Sequence, residues 1–464
     1  MEAKIAFYGA ANGVTGSSFL LQIREHKILI DCGLFQGHES EKNQLPYPCK
    51  LQDINYLILT HAHIDHCGRF PCLVNQGFKG KVIATKPTFQ IAKIMLLDAA
   101  KVMKEHYKVL YKKSLRKGLD LPPPPLYDEY DVLESFKYFQ IELPYHTPFL
   151  IGKELKITFK DAGHILGSAF VEIVDIKRNK KFLFSGDLGN KNKPIVRDYE
   201  LPPEDPDYVL IETTYADRNH KTFEESKLEL LEVIKETFKR GGNVLIPTFA
   251  LERAQEILFV LREFYEKGEL PPCYVFLDSP LAIKATKIFK DNPEFFDEET
   301  YQIFKEKDPF NLPYLTLTED VEESKAINQI KSSAIIIAGN GTLTGGRILH
   351  HLKNNLWRPE CSLVFVGFQP KGTLGRKIVD GAEKIHLFGE EIYIRAKVHT
   401  INGFSSHAGQ NELLEWLTPI KNPERIFLVH GEPEKMEIFK DLLSQKYSPE
   451  KIYIPQLMEE IVLY

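Results

Sequence analysis

The run LILTHAHIDHCG, Leu57 to Gly68, constrains this chain more than any other stretch. It sets His61, His63, Asp65 and His66 within six residues, directly after a short apolar strand. Neutral imidazoles and a carboxylate are good donors to zinc. If the turn begins extended, the alternation puts His61 and His63 on one side. Asp65 and His66 then face a neighbouring position, so one loop can serve two metal ions. Cys67 lies beside them and is expected to be a small buried apolar residue rather than a ligand. Further donors stand at other strand ends: Asp31, His164 in DAGHILGS and Asp187 in FLFSGDLG. Each alone is an ordinary turn or core residue.

At 464 residues the chain has room for roughly two or three domains. Its 43% hydrophobic and 27% charged residues are those of a globular protein. A net charge of −5 gives no global attraction to a polyanion, so a nucleic acid would have to be met by a local basic groove. Lys101 to Lys117 holds seven Lys or Arg; a solvated helix face is the ordinary reading and a phosphate contact the sharper one. No apolar run approaches a membrane span, and Met1 to Phe7 reads as a strand rather than a leader. Six cysteines without a C-x-x-C pair suit reduced thiols and a cytoplasmic location.

Short β-rich segments at 27–31, 56–60 and 81–85, with a helical pattern over 90–117, place the chain in the α/β class. The four prolines 122–125 predict an extended strap. From Tyr208 onward, strands at 208–212, 243–247, 274–278, 333–338 and 362–368 alternate with helices at 224–239 and 251–265, which predicts a doubly wound domain. Strands are expected at 425–430 and 451–454, each followed by a helix.

Asp31, the HAHIDH run, His164 and Asp187, in that order, resemble the four successive motifs of the metallo-β-lactamase superfamily. IETTYADR (Ile211 to Arg218), GFSSHAG (residues 403–409) and FLVHGE (residues 427–432) resemble motifs A, B and C of its β-CASP nucleases. The resemblance implies an αββα sandwich carrying an inserted β-CASP domain with a parallel α/β sheet. The boundaries expected are 1–207, 208–396 and 397–464, the first and last forming the sandwich. It also implies two zinc ions: His61, His63 and His164 on one, Asp65, His66 and His430 on the other, Asp187 between them, and Asp31 orienting a ligand histidine. No N-terminal RNA-binding extension is expected, and a homodimer follows from the resemblance alone.

The activity so implied is RNA phosphodiester hydrolysis, chiefly endonucleolytic on single strands. Asp65, Glu212 and His407 are the expected catalytic residues, with His407, held by Glu212, protonating the leaving ribose oxygen. Ser405, Ser406, the turn at Gly345 and Gly346, Arg347 and Arg376 are candidate phosphate contacts. A DNA-processing nuclease and a small-molecule ester or lactone hydrolase of the same superfamily are the alternatives.

Overall fold

In the strand Lys180–Phe184, Phe182 and Phe184 face one way and Leu183 the other. In Tyr208–Glu212, Leu210 likewise opposes Val209 and Ile211. This period-two alternation builds two apolar layers from one sheet. The computed structural model describes residues 2–464, which form two compact units.

The first unit comprises residues 1–191, 198–219 and 407–464. One seven-stranded sheet has the order Glu460–Val462, Ala3–Gly9, Ser18–Ile23, His26–Ile30, Tyr56–Ile58, Lys81–Ala84, Phe139–Glu142. The other runs Ile452–Tyr453, Arg425–Val429, Tyr208–Glu212, Lys180–Phe184, Ala169–Asp175, Leu155–Asp161, Phe149–Ile151. Phe182, Phe184, Leu210 and Phe427 from the second meet Ile5, Phe7, Leu21 and Ile30 from the first in an apolar inner layer. Leu183, Val209 and Ile211 pack outward on Leu413 and Trp416 of helix Gln410–Trp416 and on Met436 and Phe439 of helix Pro433–Leu443. Beside the first sheet lies the helix Lys86–Lys117, whose Phe89 stacks on Phe139 at 4.6 Å. The result is an αββα sandwich.

The helix expected after residues 451–454 is absent. The chain instead forms the strand Glu460–Val462, antiparallel to Ala3–Gly9 with Ile461 opposite Ile5. Pro455 discourages a helix there, and the backbone groups along the sheet edge are satisfied by pairing.

The second unit comprises residues 192–197 and 220–406. Its six-stranded sheet has the order Leu315–Leu317, Tyr274–Asp278, Ala334–Ala338, Val244–Pro247, Ser362–Phe365, Lys397–Thr400, and every pair is parallel. The central strands are buried end to end and read as unbroken apolar runs such as AIIIA, as a sheet covered on both faces requires. The strand Tyr208–Glu212 belongs to the first unit's sheet, and Lys397–Thr400 to the second unit's. No described helix is long and apolar enough to cross a membrane.

Candidate metal centre

The donors reach one place because backbones approach closely at two glycines. A Cβ on Gly33 would lie 1.5 Å from the Asp65 carbonyl oxygen, so only glycine lets residues 31–34 strap the His61–His66 loop. Cys32 N–H donates to the His66 carbonyl (2.8 Å) and Leu34 N–H to that of Ile64 (3.0 Å). A Cβ on Gly189 would lie 1.8 Å from the Gly163 carbonyl oxygen, and Gly189 N–H donates to Ala162 (2.8 Å), joining the Asp187 and His164 loops. Asp31 (φ 60°) and His430 (φ 51°) both end strands in the left-handed region, a costly backbone for a non-glycine residue.

His61 Nε2 faces His63 Nδ1 at 3.1 Å, and His164 Nε2 faces the same Nδ1 at 3.1 Å. His66 Nε2 faces His430 Nε2 at 3.2 Å, with Asp65 Oδ2 3.5 Å from the latter. One carboxylate oxygen, Asp187 Oδ2, lies 3.5 Å from His61, 3.6 Å from His164 and 3.2 Å from His66, between the two groups. Each group is thus a set of three or four donor atoms within 4.8 Å of one another.

Electrostatics agree with cation binding. Burial, with His66 adding to it, pushes the His61 imidazole well below its ordinary value. Burial likewise pushes His63 down to about 4. Both therefore present neutral lone pairs. Burial opposes ionisation of Asp187, yet His430 and His66 hold its carboxyl well below the usual range. Burial also pulls on His66, which Asp187, Asp31 and Asp65 hold well above its ordinary value. Asp187 Oδ1 is buried and accepts no hydrogen bond. Facing imidazole nitrogens, with an ionised carboxylate between them, are the arrangement a pair of divalent cations would satisfy.

Around the donors sits a ring of orienting groups. Asp31 Oδ2 accepts from His66 Nδ1 (2.8 Å) and from the Thr60 hydroxyl (2.8 Å), which also lies 3.1 Å from His61 Nδ1. The Thr214 hydroxyl stands 3.1 Å from His430 Nδ1. Glu212, fully buried, accepts from Leu188 N–H (2.8 Å) and Thr214 N–H (3.2 Å), and its Oε1 lies 3.3 Å from His407 Nδ1. His407 Nδ1 is 4.0 Å from Asp187 Oδ2.

Three family models match this chain: a metallo-beta-lactamase superfamily domain over 20–197, a Beta-Casp domain over 254–378 and a Zn-dependent metallo-hydrolase RNA specificity domain over 391–455. A Thermus thermophilus protein named Ribonuclease TTHA0252 is 42% identical over 443 residues, 95% of this chain and 96% of that one. The transcription termination factor FttA of Methanocaldococcus jannaschii is 30% identical over 99% of this chain and 71% of its own length. This chain belongs to the β-CASP family of the metallo-β-lactamase superfamily. A crystal structure of a protein of unknown function from Enterococcus faecalis shares the fold at a TM-score of 0.55 and 13% identity over the full length of both chains.

In this β-CASP protein His61, His63, Asp65, His66, His164, Asp187, His430, Asp31, Glu212 and His407 all converge within the first unit. Cys67 is buried and stands outside both donor groups. Ser405, Ser406, Gly346, Arg347 and Arg376 belong to the second unit. Arg347 gives its guanidinium to Asp278 (2.8 Å) and to the carbonyls of Thr318 (3.0 Å) and Glu319 (2.6 Å). Arg376 pairs with Asp380 at 2.8 Å.

Sequence reasoning gave no role to Thr60 and Thr214, although each lies inside a run it had singled out. It also missed Lys193, a buried ammonium that donates to the carbonyls of Phe404 (3.2 Å) and Ser405 (3.1 Å) and pairs with Glu256 at 2.5 Å. Burial lowers this lysine to about 8 against the pull of Glu256. Nothing in the stretch around Lys193 signals its burial.

Proposed function

We propose that this β-CASP protein is a zinc-dependent endoribonuclease acting on single-stranded RNA and leaving a 5′-phosphate and a 3′-hydroxyl. The observation that carries the reading is the pair of donor groups with Asp187 Oδ2 in the first and 3.2 Å from His66 Nε2 of the second, and with His407 anchored on Glu212 beside them. His61, His63 and His164 would hold one zinc ion and Asp65, His66 and His430 the other, with Asp187 common to both. When bound, two zinc ions supply a water of lowered pKa and a positive clamp for the scissile phosphate. Asp31 and Thr60 fix the rings of His66 and His61, as Thr214 fixes His430. His407, held at Nδ1 by Glu212, is placed to pass a proton from its other ring nitrogen to the departing ribose oxygen. Ser405, Ser406 and the turn at Gly346 (φ 84°) would offer donors to flanking phosphates, with Arg376 as a further cation, while Arg347 is spent on Asp278 and the carbonyls of Thr318 and Glu319.

The RNA preference is supported by the RNA specificity domain match and by the name of the Thermus relative. A cytoplasmic location accords with six unpaired cysteines. A homodimer belongs to the same reading, and light scattering of the purified chain tests it.

The deciding experiment maps products from RNA labelled internally and blocked at its 5′ end, with and without a chelator. Internal, chelator-sensitive cuts with 5′-phosphate ends are expected. Intact RNA in the presence of zinc would overturn the proposal, and turnover confined to matched DNA or to nitrophenyl esters would replace it with one of the alternative hydrolases.

A further inference from the structure

The helix Lys86–Lys117 is fully buried at one end only. Its buried residues stop at Ala100, and the four to five turns that follow contribute none. Met103, Tyr107, Leu110 and Ser114 are half-buried along one stripe, and the opposite face is exposed. The segment 101–117 carries Lys101, Lys104, Lys108, Lys112, Lys113, Arg116 and Lys117 against a single acid, Glu105, a local charge of +6 in a chain whose net charge is −5; Lys101, Lys104, Lys108, Lys112 and Arg116 lie on the outward face, which the exposed Val109 and Leu115 share. Lys108 pairs with Glu105 (2.7 Å) and Lys104 with Glu129 (3.3 Å); among the described residues, no carboxylate lies within ion-pair distance of the other five.

A solvated helix face usually alternates signs at i,i+4. Here Lys104, Lys108, Lys112 and Arg116 succeed one another at that spacing, and each like-charge pair costs about 0.2–0.5 kcal/mol. The helix dipole favours Arg116 and Lys117 in the last turn. It does not account for Lys101, Lys104 or Lys108, two to four turns earlier. A polyanion laid along the face would relieve this repulsion.

The N-terminal end is fixed beside the metal centre. The hydroxyls of Thr85 and Thr88 donate to the Gly167 carbonyl (2.7 and 3.1 Å), three residues beyond His164. With a rise of about 1.5 Å per residue, the basic face begins about 24 Å from that anchor and ends about 48 Å from it.

We propose that the outward face of residues 101–117 is an RNA-docking arm. It holds the phosphate backbone of a long single strand at a distance from the bond being cut. The proposal rests on the ribonuclease reading for its ligand, but the arm makes no contact with the reacting atoms. It therefore sets affinity for long RNA and leaves the chemistry on short RNA unchanged.

The test replaces Lys101, Lys104, Lys108 and Lys112 by Gln in the full-length protein. RNAs of about 6 and about 40 nucleotides are compared at several salt concentrations. For the long RNA we expect Kd and KM to rise about tenfold, and the slope of log K against log salt to shrink by about 0.7 for each phosphate that the arm no longer neutralises. The short RNA should keep its kcat/KM, and the four-Arg variant should keep the wild-type long-RNA affinity. Unchanged affinity and slope on the long RNA would overturn the arm, even if the Gln variant lost binding to anionic vesicles or acidic polypeptides. Equal losses on both RNAs would overturn it too. Binding measured with chelator present reads the arm without any cleavage, so a failure of the ribonuclease reading shows separately.

Discussion

Two buried clusters in this protein use the same residue types at the carboxyl ends of strands, and they are built to opposite ends. In the second unit, Asp278 Oδ1 accepts from Thr318 (2.6 Å) and Arg347 (2.8 Å), while Oδ2 accepts from Ser324 (2.6 Å) and lies 2.6 Å from His351 Nε2. Both of its oxygens are satisfied by protein donors. In the first unit, imidazole nitrogens face one another at 3.1–3.2 Å and Asp187 Oδ1 accepts nothing. A buried carboxylate–histidine cluster closed by its own hydrogen bonds holds a fold together. One that leaves a carboxylate oxygen unpartnered beside imidazole nitrogens facing one another is prepared for a cation. Residue type does not separate the two; donor accounting does.

The largest effect that would break this comparison is loss of the metal. Treatment with a chelator, or Asp187→Ala, should abolish RNA cleavage, and metal analysis of the variant should show fewer ions per chain than wild type. Retention of full activity by Asp187→Ala would remove the distinction altogether. His407→Ala should lower kcat by about 10²–10⁴-fold while metal content stays at the wild-type level. A variant that also loses metal would move His407 into the donor set. Asp278→Ala should cost about 3–5 kcal/mol in denaturant unfolding, by leaving Arg347 without its buried partner. Metal content per folded chain should not change. Asp31→Asn should weaken metal affinity about 10–100-fold in competition with a chelating dye, the usual effect of disturbing a group that orients a ligand histidine.

The smallest effect concerns acid. Burial works against ionisation of Asp278, but bonds from His351, Ser324, Thr318 and Arg347 hold its carboxyl below the ordinary range. Its stabilisation is therefore complete above the unfolded value near pH 4 and is lost as pH falls toward the folded one. Thermal melts of wild type between about pH 5 and pH 3 should steepen downward, and Asp278→Asn should flatten that fall.

The sequence made the donors legible because metal chemistry admits few residue types, and the strand-plus-turn contexts of Asp31, His61, His164, Asp187 and His430 placed each at a strand end. The parallel sheet of the second unit was legible for a related reason, since strands buried on both faces tolerate only runs such as AIIIA. Thr60, Thr214 and Lys193 were not legible. A hydroxyl or an ammonium is an ordinary surface group until tertiary packing turns it toward a ring or a carbonyl. The Asp278–His351 cluster was hidden in the same way, its members lying 73 residues apart without a spacing rule. The closing strand Glu460–Val462 was missed because a three-residue segment carries too little periodicity to read.

His66 and His430 face each other across 364 residues of chain. At about 5–20 residues per second, a ribosome needs about 20–70 s to travel between them. For that whole interval the nascent protein holds the donors of the His61–His66 loop without the imidazole that faces His66.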